Sequence, residues 1–163
     1  MPPAAQNANV PAASTPGTAA NLQRVRDGSG LLTAAALRRL DEDLPWYRDL
    51  PADERSWVGL VAKSGITSFV TWYADRTMTP HGVGDIFAAA PTDLTRSISL
   101  QHTLQLVRIV VEVVETHSDQ LAAPGGERDL RAAVLRYSRE VAFSAAEVYA
   151  RAAEVRGAWD SRL

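Results

Sequence analysis

The fold class is decided by residues 100–117, which read LQHTLQLVRIVVEVVETH and belong to a helix that we expect to start near Ser97 or Ser99. Their first apolar side chains step by four and three positions, the spacing of one face of an α-helix; these are Leu100, Leu104, Val107, Val111 and Val114. Other apolar residues widen this face until only a narrow polar line remains, formed by Gln101, Gln105, Arg108, Glu112 and Glu115. A helix with so wide an apolar face cannot be covered by one neighbour. We therefore expect either the central helix of a bundle or a helix shared with a second subunit.

A second long stripe follows the breakers at residues 123–126. Its members have heptad-like spacing and are Leu130, Val134, Tyr137, Val141, Ala145, Val148, Ala152, Val155 and Trp159. Glu147 and Arg151 are a favourably ordered i,i+4 pair. The pattern predicts one helix about 55 Å long, more than the diameter of a small domain. Because the stripe runs to the last residues without a C-cap, we expect the natural protein to continue beyond them.

The region before residue 100 has helical spacing too, and no alternating run indicates a strand. A first helical region is predicted over about 19–42, with an interruption at Gly28-Ser29-Gly30. Pro45 ends it, because the residue before a proline avoids the α-helical conformation. A second helix opens at Pro51 and continues to about Asp75. Residues 79–82 are predicted as a turn, and residues 83–89 as a short helix. The expected fold is an all-α helical bundle with a long C-terminal helix.

Residues 1–20 contain no charged side chain and one valine, so they cannot offset the entropy lost on ordering. We predict a disordered leader over 1–20 and a helical domain over 21–163.

Composition excludes several classes of function. The chain of 163 residues has a net charge of -2, which gives no electrostatic footprint for DNA or an anionic membrane. It has no cysteine, so disulfides and thiolate chemistry are excluded. No run is long enough to span a membrane, and no secretory signal precedes the first helix. Cytoplasm is the expected compartment.

Catalytic patterns are also missing from the sequence. No serine lies in a GxSxG elbow, and Lys63 is the one lysine. The histidines His81, His102 and His117 do not have metal-ligand spacing. We expect no enzyme, no catalytic residue, no cofactor and no metal.

Three stretches carry a resemblance to a known family. They are DLPWYRDLPADERSWVGLVAKSGITSFVTWYAD at 43–75, LTRSISLQHTLQLVRIVVEVVE at 94–115 and LRAAVLRYSREVAFSAAEVYARAAEVRGAWDSRL at 130–163. Together they resemble the N-terminal region of actinobacterial PucR/CdaR-type transcriptional regulators, in particular the group encoded beside fatty-acid synthesis genes. The resemblance covers about 40–163 and includes no catalytic signature.

The resemblance implies a sensor-like helical domain, similar to the non-haem, globin-like N-terminal domains of RsbR-type stress regulators. It also implies a GGDEF-like middle domain and a C-terminal helix-turn-helix in the full protein. This chain contains neither, so DNA would be contacted only through the absent C-terminal region.

Two functions remain open. The first is a regulatory and homodimerisation module whose core or interface valines are Val107, Val111, Val114, Val141, Val148 and Val155. The second is a binding module for a small apolar effector, for which the fatty-acid link of the resemblance suggests a fatty acyl group. Its pocket would be lined by Trp46, Trp57, Phe69, Trp72 and Tyr73.

Overall fold

The computed structural model describes residues 16–76 and 94–162. Over these ranges the chain is helical and has no strand, so the all-α prediction is confirmed. The helices are α1 (Pro16–Asp43), α2 (Pro45–Arg48), α3 (Ala52–Ala74), α4 (Leu94–Ser97), α5 (Leu100–Leu121) and α6 (Glu127–Asp160). The predicted turn at 79–82 and the predicted short helix at 83–89 lie outside the described residues.

Local chemistry sets several of the helix boundaries. Leu44 has an extended backbone, with φ -117° and ψ 97°, because it precedes Pro45, the first residue of α2. Asp53 and Glu54 place negative charge in the first turn of α3, where the helix dipole favours it. The Ser99 side chain accepts a hydrogen bond of 3.1 Å from the backbone N–H of His102 and caps α5.

The predicted interruption at Gly28-Ser29-Gly30 is wrong, because α1 continues through all three residues. A mid-helix glycine costs only about 1 kcal/mol relative to alanine, which the packing of α1 outweighs. Gly28 faces α5, where a Cβ atom would come within 2.6 Å of the Leu121 side chain. The absence of a side chain at this position lets the two helices approach closely.

The predicted disordered leader is wrong for its last five residues. Residues 16–20 belong to α1, while residues 1–15 lie outside the described residues. The helix is extended by tertiary contacts that composition does not reveal. Gly17 lies against Gly126, and the Thr18 hydroxyl donates a long hydrogen bond of 3.5 Å to Asp129.

The helix α1 forms the base of the bundle. Both α3 and α5 pack along it, and α6 packs mainly along α5. Thus α5 lies between α1 and α6, in agreement with its wide apolar face. Within the described parts of the chain, none of the helices combines the length and hydropathy needed to cross a bilayer.

The largest core cluster joins the end of α3 to the first half of α6. Phe69 and Trp72 contact Tyr137, with ring centroids of Phe69 and Tyr137 5.4 Å apart, and Tyr73 stacks on Phe69. A second cluster at the opposite end of α1 contains Leu40, Leu44, Tyr47, Val58, Ile98 and Ile109. The candidate site borders both clusters, since Phe69 and Tyr137 of the first and Leu40 and Val58 of the second line it.

Candidate functional site

A cleft of about 610 Å³ opens between α3, α5 and α6. Residues of α1, including Leu32 and Leu40, form its base. Pockets for small ligands have volumes of roughly 300–1,000 Å³ and are mostly apolar. The cleft therefore has the size of a ligand site, and it is the natural candidate in this fold.

The cleft exists because α6 diverges from α3. At the start of α6, Asp129 and Tyr137 contact the end of α3. Farther along, the Tyr149 hydroxyl contacts Thr103 of α5 and donates a hydrogen bond of 2.6 Å to the carbonyl oxygen of Ile98, in the short segment between α4 and α5. The first half of α3 is left facing the gap, and it contributes Val58, Ala62 and Ile66 to the wall.

Most of the cleft surface is aliphatic. The walls from α5 and α6 are built chiefly from residues of the two stripes identified in the sequence, namely Leu106, Val107, Val110, Val111, Val114, Val134, Val141, Val148, Ala152 and Val155. No aspartate or glutamate occurs among the described residues that line it.

The polar side chains inside the cleft are paired with protein groups. The Thr103 hydroxyl lies 2.6 Å from the Tyr149 hydroxyl, and because Tyr149 donates to Ile98, Thr103 is the donor in this contact. The Ser138 hydroxyl donates to the Val134 carbonyl oxygen at 2.7 Å. Burial raises the pKa of Tyr149 more than the Thr103 hydrogen bond lowers it, so Tyr149 stays neutral at ordinary pH.

Arginines line one end of the cleft. Arg151 and Arg156 are exposed residues of α6 that reach its lining, and Arg96 of α4 joins them. The hydrogen bond from Tyr149 to Ile98 holds the segment after α4 against α6, which brings Arg96 to the same end. The predicted ion pair between Glu147 and Arg151 does not form, and neither Arg151 nor Arg156 has an ion-pair partner among the described residues.

The valines predicted for a core or an interface all line this cleft: Val107, Val111, Val114, Val141, Val148 and Val155. None of them is fully buried, and Val155 is 58% exposed. One copy of the described chain therefore does not enclose these side chains. The sequence identified the residues of the wall, but it did not show that the wall faces a cleft.

The five aromatic residues predicted as a pocket do not share one site, although Phe69, Trp72 and Tyr73 pack together at the end of α3. Phe69 lines the cleft, whereas Trp72 and Tyr73 are buried in the core beside Tyr137. Trp57 is half-buried and outside the lining. Trp46 lies at the far end of the bundle, stacked on His102 with ring centroids 4.1 Å apart, and its Nε1 donates to Gln105 at 2.9 Å.

The arginines are the part of the site that the sequence reasoning missed. A signal was available, since Arg151 and Arg156 flank the stripe residues Val148, Ala152 and Val155 on a helical projection. At about 100° per residue, Arg151 lies about 60° to one side of Val148 and Arg156 about 80° to the other. The sequence predicted only an i,i+4 pairing with Glu147 for Arg151, and no role for Arg156.

The histidines do not form a site in the described structure. His102 stacks on Trp46, and the Nδ1 atom of His117 lies 2.7 Å from the Val113 carbonyl oxygen. His81 is outside the described residues. Over residues 16–76 and 94–162, no group of acidic and histidine side chains could hold a metal ion.

Comparisons with known proteins give relatives but no family. No protein-family model matches the chain. The chain is similar to uncharacterized proteins of Mycobacterium bovis and Mycobacterium tuberculosis, at 39% identity over 145 residues. The aligned part covers 87% of this chain and 34% of each relative. The chain thus spans about a third of the length of the curated relatives it matches.

Proposed function

We propose that this chain is the regulatory region of a longer, cytoplasmic DNA-binding transcription regulator of the PucR/CdaR type, and that it joins two copies of that regulator. The resemblance to regulators encoded beside fatty-acid synthesis genes makes those genes the proposed target. The net charge of -2 supports the proposal that another part of the protein contacts DNA, because this region has no excess of positive charge to bind phosphates. The greater length of the mycobacterial relatives is compatible with such a part.

One observation carries the proposal: the apolar stripe of α6 extends beyond the bundle that covers it. Leu130 and Val134 are 1% and 3% exposed, whereas Val155 and Trp159 are 58% and 68% exposed. A large apolar face left uncovered at the end of a long helix is typical of a protein interface. In a symmetric dimer the same face of a second copy covers it.

Sedimentation of the chain at micromolar concentration tests this part of the proposal. We expect a dimer for the wild type and a shift towards monomer for Val155→Ser with Trp159→Ser. Leu60→Ser is the matched control, because Leu60 is 51% exposed on α3 and is not part of the stripe. A wild-type monomer throughout the micromolar range contradicts dimerisation.

A second function is favoured by the cleft itself: binding of a small apolar effector. The volume of about 610 Å³ and the aliphatic walls support it. Burial of an alkyl chain there would be favourable by about 0.8 kcal/mol for each CH₂ group.

Titration with alcohols of increasing chain length, followed by calorimetry, tests the cleft. We expect affinity to rise with chain length in the wild type and to fall in Val111→Phe, in which a ring occupies part of the cleft. Leu60→Phe adds a ring outside the cleft and should bind as the wild type does. Affinity that is independent of chain length, or no heat of binding at all, contradicts an apolar site.

A further inference from the structure

The cleft has two chemically different ends. One end is closed by aliphatic side chains and by the rings of Phe69 and Tyr137. Arg96, Arg151 and Arg156 lie at the other end. The α6 residues that line the cleft run from Val134 to Arg156, which corresponds to about 33 Å of helix. The site is therefore elongated, apolar at one end and cationic at the other.

Arg151 and Arg156 border the apolar wall of the cleft from two sides. Arg151 and Arg156 lie on opposite sides of the stripe formed by Val148, Ala152 and Val155, so their guanidinium groups border the apolar wall from both sides. Neither is engaged in an ion pair with a described residue, and no acidic side chain competes within the described lining. Guanidinium groups bind carboxylates and phosphates through paired hydrogen bonds.

We infer that the cleft binds a single-chain amphiphile with an anionic head group. Its alkyl chain lies along the valines towards Phe69, and its head group contacts Arg151 and Arg156. This inference rests on the effector-binding function proposed above and adds the charge and the orientation of the ligand. Charge complementarity selects this occupant, because a neutral chain leaves the arginines unused and a cationic chain is repelled by them.

Calorimetric titration with matched twelve-carbon probes, each below its micelle concentration, tests the inference. The probes are dodecanoate, dodecyl phosphate, dodecanol and dodecyltrimethylammonium. We expect at least one anionic probe to bind about tenfold or more tightly than dodecanol, as a charge-assisted hydrogen bond provides. The cationic probe should bind most weakly. The ratio between the two anionic probes identifies the head group as carboxylate or phosphate.

Substitution of the arginines locates the head group. In the double variant Arg151→Gln, Arg156→Gln, the affinity for the anionic probe should fall to about that for dodecanol. Dodecanol should bind the variant as it binds the wild type, and this retained binding shows that the cleft is still folded. Arg139→Gln is the control for a change of charge elsewhere on α6, because Arg139 lies outside the lining and its substitution removes one of the two charges that the double variant loses.

The outcomes separate this inference from the function on which it rests. Equal binding of dodecanoate, dodecyl phosphate and dodecanol leaves the apolar site standing and overturns recognition of the head group. A loss of affinity in Arg139→Gln as large as in the double variant overturns the placement of the head group. If no probe binds, both the apolar site and the recognition of the head group are overturned. Both are also overturned if binding disappears when the protein dimerises, because the cleft is then occupied by a second copy.

Discussion

The hydroxyl of Tyr73, near the end of α3, donates a hydrogen bond of 2.6 Å to Oδ2 of Asp129 in the first turn of α6. The same hydroxyl accepts a bond of 3.1 Å from the amide of Asn21 in α1. Arg76 completes the group with bonds of 3.0 and 3.2 Å to the Asp129 carboxylate. These contacts join α1, α3 and α6 at the end of the bundle away from the arginines of the cleft.

Asn21 is the most deeply buried member of this network, with no exposed surface. Its amide also donates to the Gly126 carbonyl oxygen at 2.8 Å and accepts from the Ala123 N–H at 2.7 Å. Asn21→Ala leaves the Ala123 N–H without a partner and removes one of two hydrogen bonds to the Gly126 carbonyl oxygen, which also accepts from the Leu130 N–H. We expect this change to lower the free energy of unfolding by about 2 kcal/mol. Urea denaturation measures the loss. Gln23→Ala, which removes an exposed amide bonded to Asp27, should change stability by less than about 0.5 kcal/mol.

The network also predicts how stability depends on acid. Burial alone would raise the pKa of Asp129, but the hydrogen bond from Tyr73 and the Arg76 guanidinium outweigh it and hold this pKa below its ordinary value of 3.8. A carboxylate with a lowered pKa stabilises the fold above that value, and the contribution is lost as pH falls through the folded-state pKa. We expect the urea midpoint to decline below about pH 4, and to decline less steeply in Asp129→Asn. An identical slope in the two proteins contradicts this role.

On the alkaline side the relevant group is Tyr73. Burial and the hydrogen bond to Asp129 raise its pKa to about 12. The folded state then holds a proton that the unfolded chain releases near pH 10, so stability should fall as pH rises from 10 to 12. In Tyr73→Phe this loss of stability should be smaller. It should not vanish, because burial also raises the pKa of Tyr137 to about 12, and Tyr137 contributes to the same loss. Thermal unfolding at pH 9 and pH 11 measures the difference.

Two glycine substitutions should have opposite effects. A Cβ atom at Gly30 meets no other atom within 4 Å, so Gly30→Ala should stabilise α1 by about 0.5–1 kcal/mol. A Cβ atom at Gly126 would lie 2.5 Å from the Asn21 amide oxygen, and Asn21 is held in place by its hydrogen bonds. Gly126→Ala should therefore be destabilising by about 1–3 kcal/mol. Thermal unfolding of both variants is the measurement, and a stabilised Gly126→Ala would show that Asn21 can move aside.

Tyr149 should hold the cationic end of the cleft together. Its hydroxyl bonds both the Ile98 carbonyl oxygen and the Thr103 hydroxyl, each at 2.6 Å. Tyr149→Phe removes both bonds and should cost about 1–2 kcal/mol. Hydrogen exchange should accelerate in the segment around Ile98 and little elsewhere. Tyr47→Phe is the control, since the buried Tyr47 has no side-chain hydrogen bond with a described residue.

The division between sequence and tertiary structure is clearest in α5 and α6. Helical spacing identified both stripes, and residues such as Val107 and Val141 share the faces that the spacing assigned to them. The spacing could not tell whether those faces are sealed by a neighbour, because that depends on the direction in which α6 leaves α3 after Tyr137. The aromatic residues show the same limit, since Trp46 and Trp72 are distributed to different ends of the bundle.

The sequence by itself determined that the chain is all-α, where α3 and α5 begin, and which side chains share a face, because these follow from local backbone chemistry and the helical period. Only the tertiary structure decided that α1 continues through Gly28 and starts at Pro16, since a local cost of about 1 kcal/mol per glycine is offset by contacts with residues a hundred positions away. It alone also placed Arg151 and Arg156 at one end of an apolar cleft. Their position depends on the divergence of two helices, which no local pattern contains.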